Sequence, residues 1–195
     1  MLTPARLLLV LALTLVTLAG CEQRSDEPGA TARGPTTHAS PPDGMPPAPI
    51  AGSDREFLIE AAKTGLAGAE ASQLVAERST DPAVRSFAER LLTDLAEKND
   101  ELAHLAALRG LTLPAAPGAD KGALVARLRG LGGAALDRTF LEELVSSHAA
   151  AIDLYEREAK GSEDPDLKAF AAKTLPLLRE HQALTRQIAA DRQES

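Results

Sequence analysis

Apolar positions along the chain fall into one unbroken run followed by four stripes of helical period. The run spans Leu7–Leu18 behind Arg6 and carries no charge. Spacing of three and four begins near Ser53, where Leu58, Ala61, Gly65, Ala69, Ser72 and Ala76 mark one helix face. Ser53 and Glu56 predict a capping box at its start. Asp81-Pro82 predicts a cap and a first-turn proline for a second helix, striped by Val84, Phe87, Leu91, Leu95, Leu102 and Leu105 and stopped by Gly110 and Pro114. A third helix carries Phe140, Leu141, Leu144, Val145, His148, Ile152 and Tyr155. Asp164-Pro165 opens the fourth, with Leu167, Phe170, Thr174, Leu178, His181, Leu184 and Ile188 on one face. Pro176 inside it predicts a missing backbone hydrogen bond and a local bend.

The second pair of helices reads as a copy of the first. Asp54, Arg55, Phe57, Leu58 and Glu60 match Asp137, Arg138, Phe140, Leu141 and Glu143. Ser79, Asp81, Pro82, Phe87, Ala88, Leu92 and Glu97 match Ser162, Asp164, Pro165, Phe170, Ala171, Leu175 and Glu180, all at one separation of 83 residues. Two tight hairpins joined by the long segment 110–136 predict an all-α, antiparallel four-helix bundle with a crossover connection. A short helix between Asp120 and Arg129 is expected in that crossover. Small residues on the first helix (Ala61, Ala62, Gly65, Ala69) predict a close approach of its backbone to the others.

The amino-terminal run changes the picture from a domain to an exported domain. Twelve apolar residues make a helix of roughly 18 Å, too short for a hydrocarbon core of about 30 Å, so it fits a signal h-region. Leu18-Ala19-Gly20-Cys21 resembles the bacterial lipobox, in which the thiol takes a lipid and the chain is cut before the cysteine. The expected organisation is a signal peptide over 1–20, a lipidated Cys21 with a stalk over 21–53, and the bundle over 54–191. Residues 22–53 hold seven Pro and four Gly with almost no large apolar side chain, which is a tether's composition. His38 sits there alone and reads as solvated. Two or more acyl chains on Cys21 give stable membrane attachment. Glu22 in place of Asp after the cysteine, by resemblance to enteric sorting rules, points to the outer membrane facing the periplasm.

Charge and composition then remove several functions. Net charge is −7 with pI near 5.2, which repels phosphate backbones and argues against nucleic acid as partner. Aromatic residues are 3% and Trp is absent, so stacking platforms are lacking. A single Cys allows no internal disulfide.

Several motifs together resemble a bacterial family. Phe57…Ala61-Ala62…Gly65…Glu70 and Phe87-Ala88…Leu91-Leu92-Thr93-Asp94…Asn99…Leu102 match its first half. Asp137-Arg138-x-Phe140-Leu141…His148 and Leu167-Lys168-Ala169-Phe170-Ala171…Leu175-Pro176…His181 match its second. Over residues 54–188 the chain resembles the family known as domain of unknown function 4142. The resemblance implies a ferritin-like helical bundle, exported and often lipid-anchored, with no common activity. The family pattern carries Asp-His dipeptides in its second and third helices; here these positions read Asp94-Leu95 and Ser147-His148.

Candidate chemistry centres on His148 and His181, which lie in the stripes of two neighbouring helices. With a carboxylate from Asp94, Glu97 or Glu101 they would make an incomplete transition-metal site. The plainer reading makes them buried, hydrogen-bonded histidines served by Tyr155 or a backbone carbonyl. A di-iron centre needs paired Glu-x-x-His motifs, and only Glu101-Leu102-Ala103-His104 has that form, with His104 on the outer side of its stripe. No serine stands in a nucleophile elbow. The leading expectation is a non-enzymatic, membrane-tethered bundle without a cofactor, acting on a protein or small-ligand partner. The alternative is a metal-binding protein or metal-dependent oxidoreductase using the histidine pair.

Overall fold

A computed structural model describes residues 50–192. The signal peptide, Cys21, His38 and the stalk up to residue 49 therefore lie outside the described residues. Five helices follow in order: α1 Gly52–Arg78, α2 Pro82–Leu108, α3 Ala119–Arg129, α4 Gly133–Gly161 and α5 Pro165–Asp191. The four long ones pack as two hairpins, α1 with α2 and α4 with α5; α1 also meets α4, and α2 meets α5. The short α3 of the crossover lies against α1 and α4. No helix among the described residues is long and apolar enough to cross a membrane.

The hairpin turns repeat each other bond for bond. Asp81 Oδ1 accepts from the backbone N–H groups of Ala83 and Val84 at 2.9 and 3.2 Å, as predicted for an N-cap. Asp164 Oδ1 does the same for Asp166 and Leu167 at 3.0 and 3.1 Å. Ser79 and Ser162, both buried, each accept the N–H of the following cap Asp at 3.2 Å. The proline behind each cap occupies a first-turn position that has no helical acceptor.

The other helix ends use different devices. The capping box expected at Ser53 and Glu56 does not form. Helix α1 starts two residues earlier, at Gly52, with Ala51 as its cap and no side-chain cap bond. At the end of α2, Gly110 takes φ +65°, and the N–H groups of Leu111 and Gly110 donate to the carbonyls of Ala106 and Ala107, each at 3.0 Å. This is the Schellman arrangement, which favours a residue without Cβ. Helix α5 runs unbroken through Pro176. Pro176 and Ala172 are both exposed, so the carbonyl that loses its helical donor is on the solvent side.

The hairpins interlock in two apolar clusters. One takes Phe57 and Leu58 from α1, Leu102 and Leu105 from α2, Tyr155 from α4, and Leu167 and Phe170 from α5. Phe57 meets Tyr155 edge-on, with ring centroids 5.1 Å apart. The other takes Val75 from α1, Val84, Phe87 and Leu91 from α2, Leu128 from α3, and Phe140, Leu141 and Leu144 from α4. Phe57 and Phe140, Leu58 and Leu141, and Phe170 and Phe87 are duplicated positions placed in opposite clusters. Each cluster thus needs both hairpins, and separating them would expose aromatic side chains worth roughly 1.5–3 kcal/mol apiece.

Candidate functional site: a polar centre beside an apolar cavity

A mostly apolar cavity opens between α1, α2, α4 and α5 under the cover of α3. Its volume accessible to the centres of water molecules is about 110 Å³. Apolar walls come from Ala61, Leu91, Leu128, Phe140 and Leu178. Lys98, His148 and Tyr155 are buried residues with polar groups that also line it. The cover helix is tied down by ion pairs from Lys121 to Glu60 at 3.0 Å and from Arg127 to Glu143.

The structure brings together three of the residues singled out in the sequence. His148 and His181 lie edge to face with ring centroids 5.6 Å apart and planes at 89°. His148 Nδ1–H donates to the Leu144 carbonyl at 2.8 Å, one helical turn back. His181 Nε2–H donates to Asp94 Oδ2 at 2.8 Å. Those two bonds set the tautomers and leave one lone pair on each ring, at His148 Nε2 and His181 Nδ1. Asp94 is also 3.5 Å from Arg90 Nε, and Arg90 Nη2 reaches Glu180 at 2.7 Å. A short chain of charges therefore runs from the surface of α5 through α2 to the buried imidazole.

Burial sets the protonation of this centre. It pushes His148 down to about 4, against the pull of the Leu144 hydrogen bond. His181 is lowered as well, again chiefly by burial and in spite of Asp94. Both rings are neutral at pH 7. Tyr155 is pushed up by burial, so its phenol keeps its proton.

Other candidates fall elsewhere. Glu97, Glu101 and His104 are exposed, and Glu101 pairs with Lys173 at 2.9 Å. Tyr155 bonds neither histidine; its hydroxyl is buried without a hydrogen-bond partner among the described residues. No group of three His, Cys, Asp or Glu side chains among the described residues is placed to hold a metal ion.

Sequence reasoning missed Lys98. This side chain is 8% exposed, its Nζ stands 5.8 Å from the centre of the Tyr155 ring, and it has no ion pair among the described residues. Burial lowers its pKa to about 8. Two signals pointed to it. Lys98 fills the gap that the stripe of α2 leaves between Leu95 and Leu102, and it stands 83 residues before His181, at the duplicated position. The counterpart of His148 is Gly65, and a Cβ there would lie 2.8 Å from Asn99 Cγ. The repeat thus places a histidine pair in one hairpin, and a lysine with a closely packed glycine in the other.

Comparison with solved structures finds the same fold in three bacterial proteins. A DUF305 fragment from Deinococcus radiodurans superposes with TM-score 0.66 at 17% identity, over 74% of this chain and 99% of that one. A DUF305 protein from Streptomyces coelicolor gives 0.63 at 17%, over 72% and 93%. A conserved hypothetical protein from Mycobacterium tuberculosis gives 0.55 at 17%, over 71% and 91%. These identities show a common fold and nothing finer. No curated protein matches the chain. The family model described as domain of unknown function (DUF4142) matches residues 39–188, the whole bundle and the end of the segment before it, and the chain belongs to that family.

Proposed function

We propose that this protein is a lipid-tethered envelope protein whose helical bundle is a non-enzymatic binding module. The observation that carries the binding role is the cavity. It is concave and largely apolar, with a few converging polar groups, which is the usual form of a small-molecule site. Its polar groups do not compose a catalytic set. Neither histidine faces a hydroxyl or thiol nucleophile, and their N–H groups are committed to Leu144 and Asp94. The tether rests on the lipobox at Leu18–Cys21 and on the Pro-rich stalk that follows. Cell fractionation tests it: Cys21→Ser moves the protein from the membrane to the soluble periplasmic fraction. A variant that remains in the membrane fraction refutes the tether.

One arrangement favours a second reading, transition-metal binding by His148 and His181. Histidines that ligate metals commonly donate their other N–H to a carbonyl or carboxylate, as these two do. Asp94 then orients His181, and two lone pairs remain for a metal. Elemental analysis of protein purified without chelators tests this reading against His148→Ala/His181→Ala. A stoichiometric metal that disappears in the double variant establishes it, and metal-free wild-type protein dismisses it.

A further inference from the structure

Three polar features of the cavity call for a common explanation. The Lys98 side chain is more than nine-tenths buried and lines the cavity without a carboxylate to neutralise it. The Tyr155 hydroxyl is buried with no partner among the described residues, and its side chain also lines the cavity. The charges at the rim are already matched, Lys121 with Glu60 and Glu143 with Arg127. The cavity therefore holds one cation without a counter-charge among the described residues, beside an aromatic ring in an apolar hollow. Buried groups of this kind are costly unless something accepts from them.

We propose, building on the reading of the bundle as a binding module, that the cavity binds a small monocarboxylate with an apolar body. The carboxylate accepts from Lys98 Nζ, and the apolar body lies against Leu91, Leu128 and Phe140. Three features select this class. The Lys98 ammonium is a donor that has no acceptor among the described residues, so the head must be one. One cation without a counter-charge matches one negative charge, and His148 Nε2, an acceptor beside it, disfavours a second. The size is limited too: a dry cavity of about 150 Å³ accommodates the six carbons of benzene, so about 110 Å³ suits an apolar body of about four to five carbons. The pKa of Lys98, about 8, leaves its ammonium largely charged at pH 7 and ready to pair.

The test is an NMR titration of the full chain with hexanoate and with hexan-1-ol. Every sample carries Cys21→Ser, so that no acyl group of the protein's own competes. Wild-type Lys98 is compared with Lys98→Met. Lys98→Met keeps the volume and removes a buried unpaired charge, so its melting temperature should not fall below the parent's. Hexanoate binding should weaken at least about tenfold in Lys98→Met, while hexan-1-ol binding stays as it was. If hexan-1-ol binds the wild-type pocket and hexanoate binds no better, the carboxylate assignment is wrong although the binding module stands. Equal loss of both ligands in Lys98→Met also overturns the assignment. If neither ligand binds, the binding-module reading falls with it.

Discussion

At the scale of single residues the interior is unusually rich in ionisable groups for an aromatic-poor bundle. Glu158 is 5% exposed on α4, and burial, reinforced by the nearby Asp54, raises its pKa to about 7. A carboxyl with a folded pKa above its unfolded value near 4.5 opposes folding once ionised. Its penalty is absent below pH 4.5, grows as pH rises toward 7 and is constant above that. His148 acts in the opposite direction, because its depressed pKa makes folding less favourable as pH falls from 6.5 toward 4. Comparison of wild type with Glu158→Gln cancels the histidine and isolates the glutamate. Urea unfolding should show the two proteins equal near pH 4 and Glu158→Gln more stable by about 2 kcal/mol above pH 7. A difference that does not vary with pH would mean that Glu158 has the same pKa folded and unfolded.

The same scale shows which parts of the site were legible. His148 and His181 stand in stripes of clear helical period, so their inward direction could be read directly. Asp94 was one of three carboxylates that period alone could not separate; only the crossing of α2 with α5 brings it to His181 while Glu97 and Glu101 stay in solvent. Lys98 was hidden because lysine is almost never fully buried, so composition outweighs position.

At the scale of elements, two arginines explain how the copies are joined. Arg109 follows α2 and its Nε meets Asp164 Oδ2, the cap of α5, at 2.6 Å. Arg192, 83 residues later, follows α5 and reaches Asp81, the cap of α2. The arginine after each hairpin's last helix therefore holds the cap at the other hairpin's turn, and the carboxylate bonded to the arginine also accepts the helix's free N–H groups. Bonds to charged groups of this sort contribute roughly 1.5–3 kcal/mol. The caps were plain in the sequence, since Asp-Pro after a Ser is a local signal. The arginines were not, because their partners are more than 50 residues away. The first helix was read least well. Its apolar face is wider than the stripe, with Ala67, Ala71 and Val75 buried, because α3 and α4 cover a second side of it. A crossover helix that packs across the bundle leaves no periodic trace in the helix it covers.

At the scale of the whole molecule, the duplicated hairpins build a nearly symmetric shell around an asymmetric centre. Phe57, Phe87, Phe140 and Phe170 keep the symmetry in the two clusters, whereas Gly65 and Lys98 face the places of His148 and His181. One hairpin supplies the neutral imidazoles and the other supplies the cation, so a ligand would meet a different chemistry on each side. The crossover covers one flank, and its ion pairs to α1 and α4 hold it over the cavity.

Native mass spectrometry of the protein taken gently from the cells that make it tests this account most directly. The account predicts a population carrying a small organic acid, lost in Lys98→Met. A bare chain in every sample, or a bound metal that vanishes with the histidines while Lys98→Met retains it, would contradict it.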